Sequence, residues 1–317
     1  MSCIPNASHS PVFLLLGFSK TGVPHSLFFL LFLAIYLATI LGNVTLVLLI
    51  SRDSRLNSPM YFLLRGLSVI DLGLSTVILP QLLVHLASEY PAIPAARCLA
   101  QFFFFYAFGV TDTLVIAVMA LDRYVAICDP LHYALVMNRQ LCVCLLALSW
   151  VVSIVHTMLH VGLLLPLRWS VDTEGNVNLP HFFCDHRPLL RASCSDILSN
   201  ELAIFLEGGS LMLGPCALII LSTLKLGQLS YVCLQLLDAS EQSPPVDPTS
   251  PWLDFSMAPS FGYTSSLLLR TLRIRICIAA VMYTAITPLA NPFVYSLRNK
   301  DVKGALHRLL KQGRMGS

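Results

Sequence analysis

Asp122, Arg123 and Tyr124 stand side by side at the end of a long apolar run, in Leu121-Asp122-Arg123-Tyr124-Val125. At a membrane–water boundary these three residue types support two chemistries. Asp122 can neutralise Arg123 within an anchoring cluster, since charges at span ends are ordinary. The pair can also work as a breakable ion pair in a cytoplasmic switch. Asn291-Pro292-Phe293-Val294-Tyr295 is a second polar island in apolar surroundings. Pro292 removes a backbone donor and loosens a helix, and Asn291 can satisfy the freed groups. Asp71 falls in the middle of another apolar run. A carboxylate there is costly and is a functional-site candidate by default, and Gly42-Asn43 can supply it with a hydrogen-bond partner. Arg65 and Glu207 are further charges inside apolar runs. Arg65 can snorkel toward the cytoplasm. Glu207, in the outer half of its run, either lines a cavity or makes a local polar contact. His156 and His160 have i, i+4 spacing, but a metal site needs more ligands and no third is evident. There is no H-E-x-x-H, no paired C-x-x-C set, no Walker loop and no G-x-S-x-G. Neither an enzyme nor a metal or other cofactor is expected.

The elements that must hold these residues are membrane spans. The chain has 317 residues, 56% hydrophobic and 12% charged, with mean hydropathy +0.74. A soluble domain of this length would need far more charge for its surface. The net charge of +3 is too small to imply nucleic acid. A bilayer core about 30 Å thick takes roughly 20 apolar residues per helix. Six such runs occur, at about 26–50, 59–87, 99–121, 141–165, 197–224 and 276–297. Barrel strands would be shorter and alternating, so the expected class is an all-α membrane bundle.

Arg52 and Arg55 follow the first run, Arg123 and Arg139 flank the segment after the third, and six Lys and Arg residues crowd the C-terminus. Basic residues favour the cytoplasmic side, so the first loops place the N-terminus outside. The basic tail agrees only if seven spans precede it. Asn6-Ala7-Ser8 is a glycosylation sequon that fits an outside N-terminus. Asn43-Val44-Thr45 shows that such triplets also arise by chance, because it lies inside a span. No cleavable signal peptide is read at the N-terminus.

Longer runs narrow the reading. They are Pro59-Met60-Tyr61-Phe62-Leu63 with Leu67-Ser68 and Asp71, MALDRYVAICDPLHY (119–133), HFFCD (181–185), SCSD (193–196) and PFVYSLRNKDVKGAL (292–306). Together they resemble the olfactory receptors among the rhodopsin-like G-protein-coupled receptors. The resemblance covers about 10–225 and 280–310, and Leu121 departs from it where the family usually has tyrosine. It implies seven transmembrane helices and a ligand pocket in the outer half, walled by Phe105, Tyr106, Gly109, Val110 and Thr113, with Glu207 added by position. It implies a small volatile ligand and a stimulatory, olfactory-type heterotrimeric G protein that raises cAMP. The switch at the inner end would comprise Asp122, Arg123, Tyr124, Asn291, Pro292 and Tyr295, and the setting is the plasma membrane. Cys98 and Cys184 both face an oxidising compartment, where a disulfide is reasonable, and the family implies the same pair. The usual second loop cysteine is absent from LLLPLRWSVD (163–172), so Cys194 is expected to be unpaired, with Cys3 a poor substitute.

One stretch breaks the pattern. Between the fifth and seventh spans the family reads approximately K-A-F-S-T-C-x-S-H-L-x-V-V-x-L-F-Y-G, and none of that appears in this frame. The codons permitted by Val246 to Gly262, read one base out of step, allow G-S-H-L-T-V-V-G-L-F-Y-G without a gap. About 225–278 is therefore expected to be translated out of frame, with a second shift restoring the last span. The organisation is then an outer N-terminus (1–25), spans one to five with loops (26–224), an aberrant third loop and sixth-span region (225–275), a last span (276–297) and a cytoplasmic tail (298–317). The best substitute for the sixth span, 251–269, carries Asp254 and Pro259 and is expected to insert poorly. If it stays inside, the last span crosses the wrong way, Arg270, Arg273 and Arg275 favour that, and the tail opposes it. Mixed topology and retention in the endoplasmic reticulum follow. Two functions remain: an odorant receptor, or a non-signalling product of that family. A small transporter would show internal repeats, and none is seen.

Overall fold

The computed structural model describes residues 2–4, 12–17, 24–88, 92–206, 214, 217, 220, 224, 280–298 and 300–315. The short strand β1 (Ser2–Ile4) and strand β2 (Val12–Leu15) precede helix α1 (His25–Arg52). After a 3-10 turn at Ser54–Leu56 come helix α2 (Pro59–Ala87), strand β3 (Ala92–Pro94), helix α3 (Ala95–Cys128), the single-turn α4 (Tyr133–Val136) and helix α5 (Arg139–Leu164). Strands β4 (Trp169–Val171) and β5 (Asn176–Leu179) and helix α6 (His186–Arg191) form the next loop. A helical stretch begins at 198–206. A π-helical turn (Met282–Ile286) then leads into helix α7 (Thr287–Arg298) and helix α8 (Lys300–Met315).

Among the described residues four helices, α1, α2, α3 and α5, are long and apolar enough to cross a membrane. Their bounds match the expected runs closely, except that α3 extends to Cys128, seven residues past the expected end of its apolar run. The reason is physical: hydropathy reports where the chain leaves lipid, whereas the backbone ladder continues into water. α1 is apolar on nearly every face, and Leu30, Leu31, Leu37 and Leu41 are exposed on it. A helix apolar all round belongs in lipid or a core. Proline at the start of α2 costs nothing, because the first N–H groups of a helix have no partner anyway. At α5 the Asn138 side chain caps the helix by accepting from the Leu141 N–H at 2.8 Å.

The end of the bundle at the start of α3 is not a plain set of loops. β2 lies between β3, antiparallel, and β5, parallel, and β1 pairs antiparallel with β4. Phe13 and Leu15 of β2 are buried in one core cluster with Ile93, Phe102, Trp169 and Leu179. The residues before α1 thus include a strand of this cap. The chain can approach because Gly17 has no side chain: a Cβ there would lie 2.6 Å from the Phe182 nitrogen. Gly175 sits at φ +83 in the turn before β5, a conformation that favours glycine. Asp172 closes that turn by accepting from the Glu174 and Asn176 N–H groups, which hold its carboxyl below the usual range.

Cys98 and Cys184 form a disulfide, with Cα atoms 5.4 Å apart. Cys194 is also disulfide-bonded, which corrects the expectation that it has no partner. Its segment lies against β4, where the Cys194 N–H donates to the Arg168 carbonyl and Trp169 bridges to Ser193.

α7 runs parallel to α1. Phe32 packs with Ala280 and Ala285, Asn43 donates to the Pro288 carbonyl, and Arg308 of α8 reaches Asp53 just past α1. The tail helix therefore sits at the Arg52 end of the bundle. The last span runs in the same direction as the first, one of the two courses that mixed topology would allow. Tyr61 donates to Asp301, and Val302 and Ala305 join the core cluster beneath α2. What reads as a tail is in fact a docked amphipathic helix. The sixth-span region lies outside the described residues.

Candidate functional site

Phe105, Tyr106, Gly109, Val110 and Thr113 recur at helical spacing along α3, so one face of one element carries them. The disulfide at Cys98 draws the loop after β5 across that face. Phe183 then packs on Phe105, with ring centres 4.9 Å apart and the rings edge to face. The Tyr106 hydroxyl donates to Asp185 at 3.2 Å, and its ring lies 5.8 Å from His186. Tyr283, entering α7, reaches the same face: its hydroxyl donates to the Gly109 carbonyl at 3.1 Å, and its ring lies 6.2 Å from Phe105. A Cβ on Gly109 would come within 2.8 Å of that hydroxyl, so glycine here admits Tyr283. Thr113 turns back to the Gly109 carbonyl at 3.1 Å. Val110 is partly buried on the same helix. Glu207 lies outside the described residues.

Three imidazoles border this face. His160 and His156 are in ring-nitrogen contact at 3.2 Å, and His186 packs against His160 with centres 4.8 Å apart. Burial first, then His160, His156 and Arg187, push the His186 imidazole down to about 3, so it is neutral at physiological pH. No group of three ligands suited to a metal occurs among the described residues. The wall is thus mostly aromatic, with a few fixed polar atoms from Tyr106, Asp185, Tyr283 and the histidines. Such a lining suits a small ligand held by burial and oriented by few hydrogen bonds.

The middle of the bundle holds the polar residues expected there, but in different pairings. Asn291 donates to both carboxyl oxygens of Asp71, at 3.2 and 3.0 Å. Asn43 instead spans α1 and α7, donating to the Thr39 and Pro288 carbonyls at 3.1 and 2.9 Å. The roles expected for Asn43 and Asn291 are exchanged: Asn291 holds the carboxylate, and Asn43 satisfies backbone left open near Pro292. Gly42 lets Pro292 approach, since a Cβ there would meet its ring at 3.1 Å. Asp112, fully buried on α3, lies within electrostatic reach of Asp71.

At the far end of α3 Asp122 is buried and accepts from the Tyr133 hydroxyl at 2.9 Å, while Arg123 is exposed. Among the described residues Asp122 and Arg123 form no direct ion pair. The carboxylate is held by a loop tyrosine, whose own hydroxyl is pushed up first by burial and then by Asp122. Tyr124 is partly buried beside it. Pro292 is buried within α7, and Tyr295 follows one turn on, its side chain outside the described ones.

Sequence reasoning missed Asp112, Tyr133, Asp185, His186 and Tyr283. The signals were present. Asp185 and His186 immediately follow Cys184, so a disulfide to the start of α3 must lay them over it. Tyr133 closes the same long run that contains Asp122.

Comparison with known proteins gives the assembly its place. The family model for olfactory receptors matches residues 32–232. The chain belongs to the olfactory receptor family. It is 70% identical over 317 residues to human olfactory receptor 1B1, a match covering 98% of each chain. Rat olfactory receptor 1f45 is 41% identical over 317 residues, 96% of each chain. Gorilla olfactory receptor 1E2 is 42% identical over 306 residues, 94% of each. The fold is therefore the seven-transmembrane bundle of that family, and the protein is an odorant receptor, embedded in a membrane by several spans, that takes odorant ligands and couples to a G protein. It is a receptor. The reading as a non-signalling product of the family is not favoured.

Proposed function

We propose that this receptor works in the plasma membrane with its N-terminus outside, binds a small, mostly apolar volatile ligand, and signals through a stimulatory G protein that raises cAMP. The observation that carries this is the convergence of Phe105, Tyr106, Gly109 and Thr113 with Tyr283, Phe183 and His186 beneath a disulfide-tied loop. Val110 lies on the same helix, and Glu207 is assigned to the opposite wall by position alone. The aromatic wall supplies burial, and Tyr106 and Tyr283 orient a polar group on the ligand.

Ligand binding shifts a two-state bundle only through contacts that differ between its states. Tyr283 ties the pocket to α7, whose Asn291 and Pro292 meet Asp71 and α1. Asp122, Arg123, Tyr124 and Tyr295 form the end that opens to the G protein. An exposed Arg123 and a carboxylate held by a single hydroxyl suit a switch that releases easily.

The parallel course of α1 and α7 supports a return crossing by the residues between the fifth span and Ala280, hence seven spans. The out-of-frame origin of 225–278 is a separate proposal about that stretch. Sequencing the codons for Leu224 to Met282 tests it: codons that forbid the family motif overturn it.

The intact chain is expressed with a cAMP reporter and an odorant panel. Odorant-evoked cAMP that weakens at least tenfold in potency in Gly109→Leu is expected, a loss of about 1.4 kcal/mol. A surface-expressed chain that signals without cAMP overturns the G-protein assignment. An Asn6 that never acquires a glycan removable by endoglycosidase overturns the orientation.

A further inference from the structure

Gln101 stands on α3 between the disulfide and the odorant wall. It follows Cys98 by three residues and precedes Phe105 by four, so the three share one face of the helix. The residue is 7% exposed, and both ends of its amide are used. Oε1 accepts from the Cys184 N–H at 3.0 Å, and Nε2 donates to the Val77 carbonyl of α2 at 3.2 Å. The two partners fix which end is which, because an N–H only donates and a carbonyl only accepts. Pro80 lies three residues beyond Val77 and has no N–H, which interrupts the α2 ladder beside the carbonyl that Gln101 takes.

Cys184 is therefore tied twice, through its sulfur to Cys98 and through its backbone to Gln101. The bridge holds the loop near α3, but it consists of several rotatable bonds and does not by itself set the angle of the loop. The second tie grips the backbone of the same residue and stops the loop from pivoting. The neighbours of Cys184 depend on that angle. Phe183 lies on Phe105 with ring centres 4.9 Å apart, and Asp185 accepts from the Tyr106 hydroxyl. A neutral amide suits the place, since it offers an acceptor to the loop and a donor to α2 at once, whereas an ionised carboxylate offers acceptors only.

We propose that Gln101 is a positioning residue for odorant recognition: by tying the Cys184 backbone to α2, it sets where Phe183 and Asp185 sit over the α3 wall, and so which ligand shapes the pocket prefers. It touches no ligand and acts through the loop. A binding lining held to within about 0.5 Å needs this kind of support from behind. The proposal rests on the ligand site proposed above.

The test begins with hydrogen exchange on the intact receptor purified in detergent, with the Cys184 amide resolved by fragmentation. In the wild type this amide is expected to be among the slowest of its loop. Exchange as fast as in a free peptide overturns the proposal, and no variant has to fold. Gln101→Met keeps the side-chain length and removes both hydrogen bonds. With the Cys98–Cys184 bridge shown intact by non-reducing mass analysis, Cys184 exchange is expected to rise about fivefold, the loss of one net hydrogen bond, while α2 and α3 exchange as before. Unchanged Cys184 exchange, or a rise spread equally over α2 and α3, overturns the proposal. Odorants that activate the wild type in the cAMP assay are then ranked on Gln101→Met. Compact and bulky ligands are expected to change potency unequally, by about fivefold relative to each other. A common shift of all ligands, which a loss of folded receptor would give, overturns the proposal. A wild type that no odorant in the panel activates fails the ligand reading, whereas the exchange measurement decides the Gln101 tie by itself.

Discussion

The end of this receptor that carries the Cys98–Cys184 disulfide and the end that carries α8 are held by different kinds of interaction. At the first, a disulfide, two small sheets and an aromatic cluster lock the loop over α3. At the α8 end the chain-to-chain ties beside the apolar packing of Val302 and Ala305 are polar: Tyr133 to Asp122, Tyr61 to Asp301, and Arg308 to Asp53. Under the proposed function, the disulfide end keeps a pocket shaped before the ligand arrives and the α8 end lets go when it does. Covalent and buried apolar contacts are hard to undo, whereas an exposed ion pair or one hydrogen bond is worth about 1 kcal/mol and can be exchanged for water.

Breaking the disulfide lock should do the most damage. Cys184→Ser removes a bridge between residues 86 apart in sequence. Such a loss costs roughly 2–5 kcal/mol. Flow cytometry of live cells should show surface receptor falling at least severalfold, with the odorant response lost alongside. Normal surface level and response would show that the sheets alone hold that end.

The middle of the bundle comes next. Asn291→Leu leaves the buried Asp71 carboxyl without the amide that donates to both its oxygens. An unsatisfied buried acceptor costs about 1–3 kcal/mol. The melting temperature of purified receptor should drop by several degrees, and Asn43→Ala, which frees only backbone carbonyls, should drop it less. Equal losses would argue against the division of roles between the two asparagines.

His186 gives the disulfide end a pH dependence in weaker acid than the α8 end has. Its folded pKa, about 3, lies below the unfolded value near 6.5. Between those values the unfolded chain holds a proton that the folded chain refuses. Stability is therefore full above about 6.5 and falls with pH toward 3, by at most about 1.4 kcal/mol per unit. Thermal melts from pH 7 to 5 should slope downward, and His186→Phe should make the slope shallower, with His181, which burial also holds below its ordinary value, keeping part of it. At the α8 end the Arg308 hydrogen bond holds the Asp53 carboxyl below the usual range, so that contact is present at neutral pH and weakens only in stronger acid.

The smallest effect is at the switch. Tyr133→Phe deletes one hydroxyl and leaves Asp122 in place. A loss of about 1 kcal/mol shifts a two-state equilibrium about fivefold. Basal cAMP should rise by up to that factor while surface level stays constant. Unchanged basal activity would place the restraint on Asp122 elsewhere.

The sequence determined a great deal here. Apolar runs of membrane length set the helices α1, α2, α3 and α5 to within a few residues at most ends, because lipid thickness and backbone satisfaction leave a chain few alternatives. A disulfide between the cysteine at the start of α3 and the one in the loop was a reasonable expectation on an oxidising side, and the family resemblance implied that pair. The long runs from Met119 to Tyr133 and from Pro292 to Leu306 were enough to name the family. Partner choice was another matter. Asn43 and Asn291 are the same residue type at similar depth, and composition assigned the carboxylate to the wrong one. Tyr133 took Asp122 from its chain neighbour Arg123, Tyr283 crossed to Gly109, and Cys194 proved to be bonded. The parallel course of α7, against the pull of Arg270, Arg273 and Arg275, was likewise decided by packing against α1 and by the docking of α8. Span formation depends on local composition, which a sequence states directly. Pairing depends on which atoms the packed helices bring within about 3 Å, and that distance exists only after the bundle has closed.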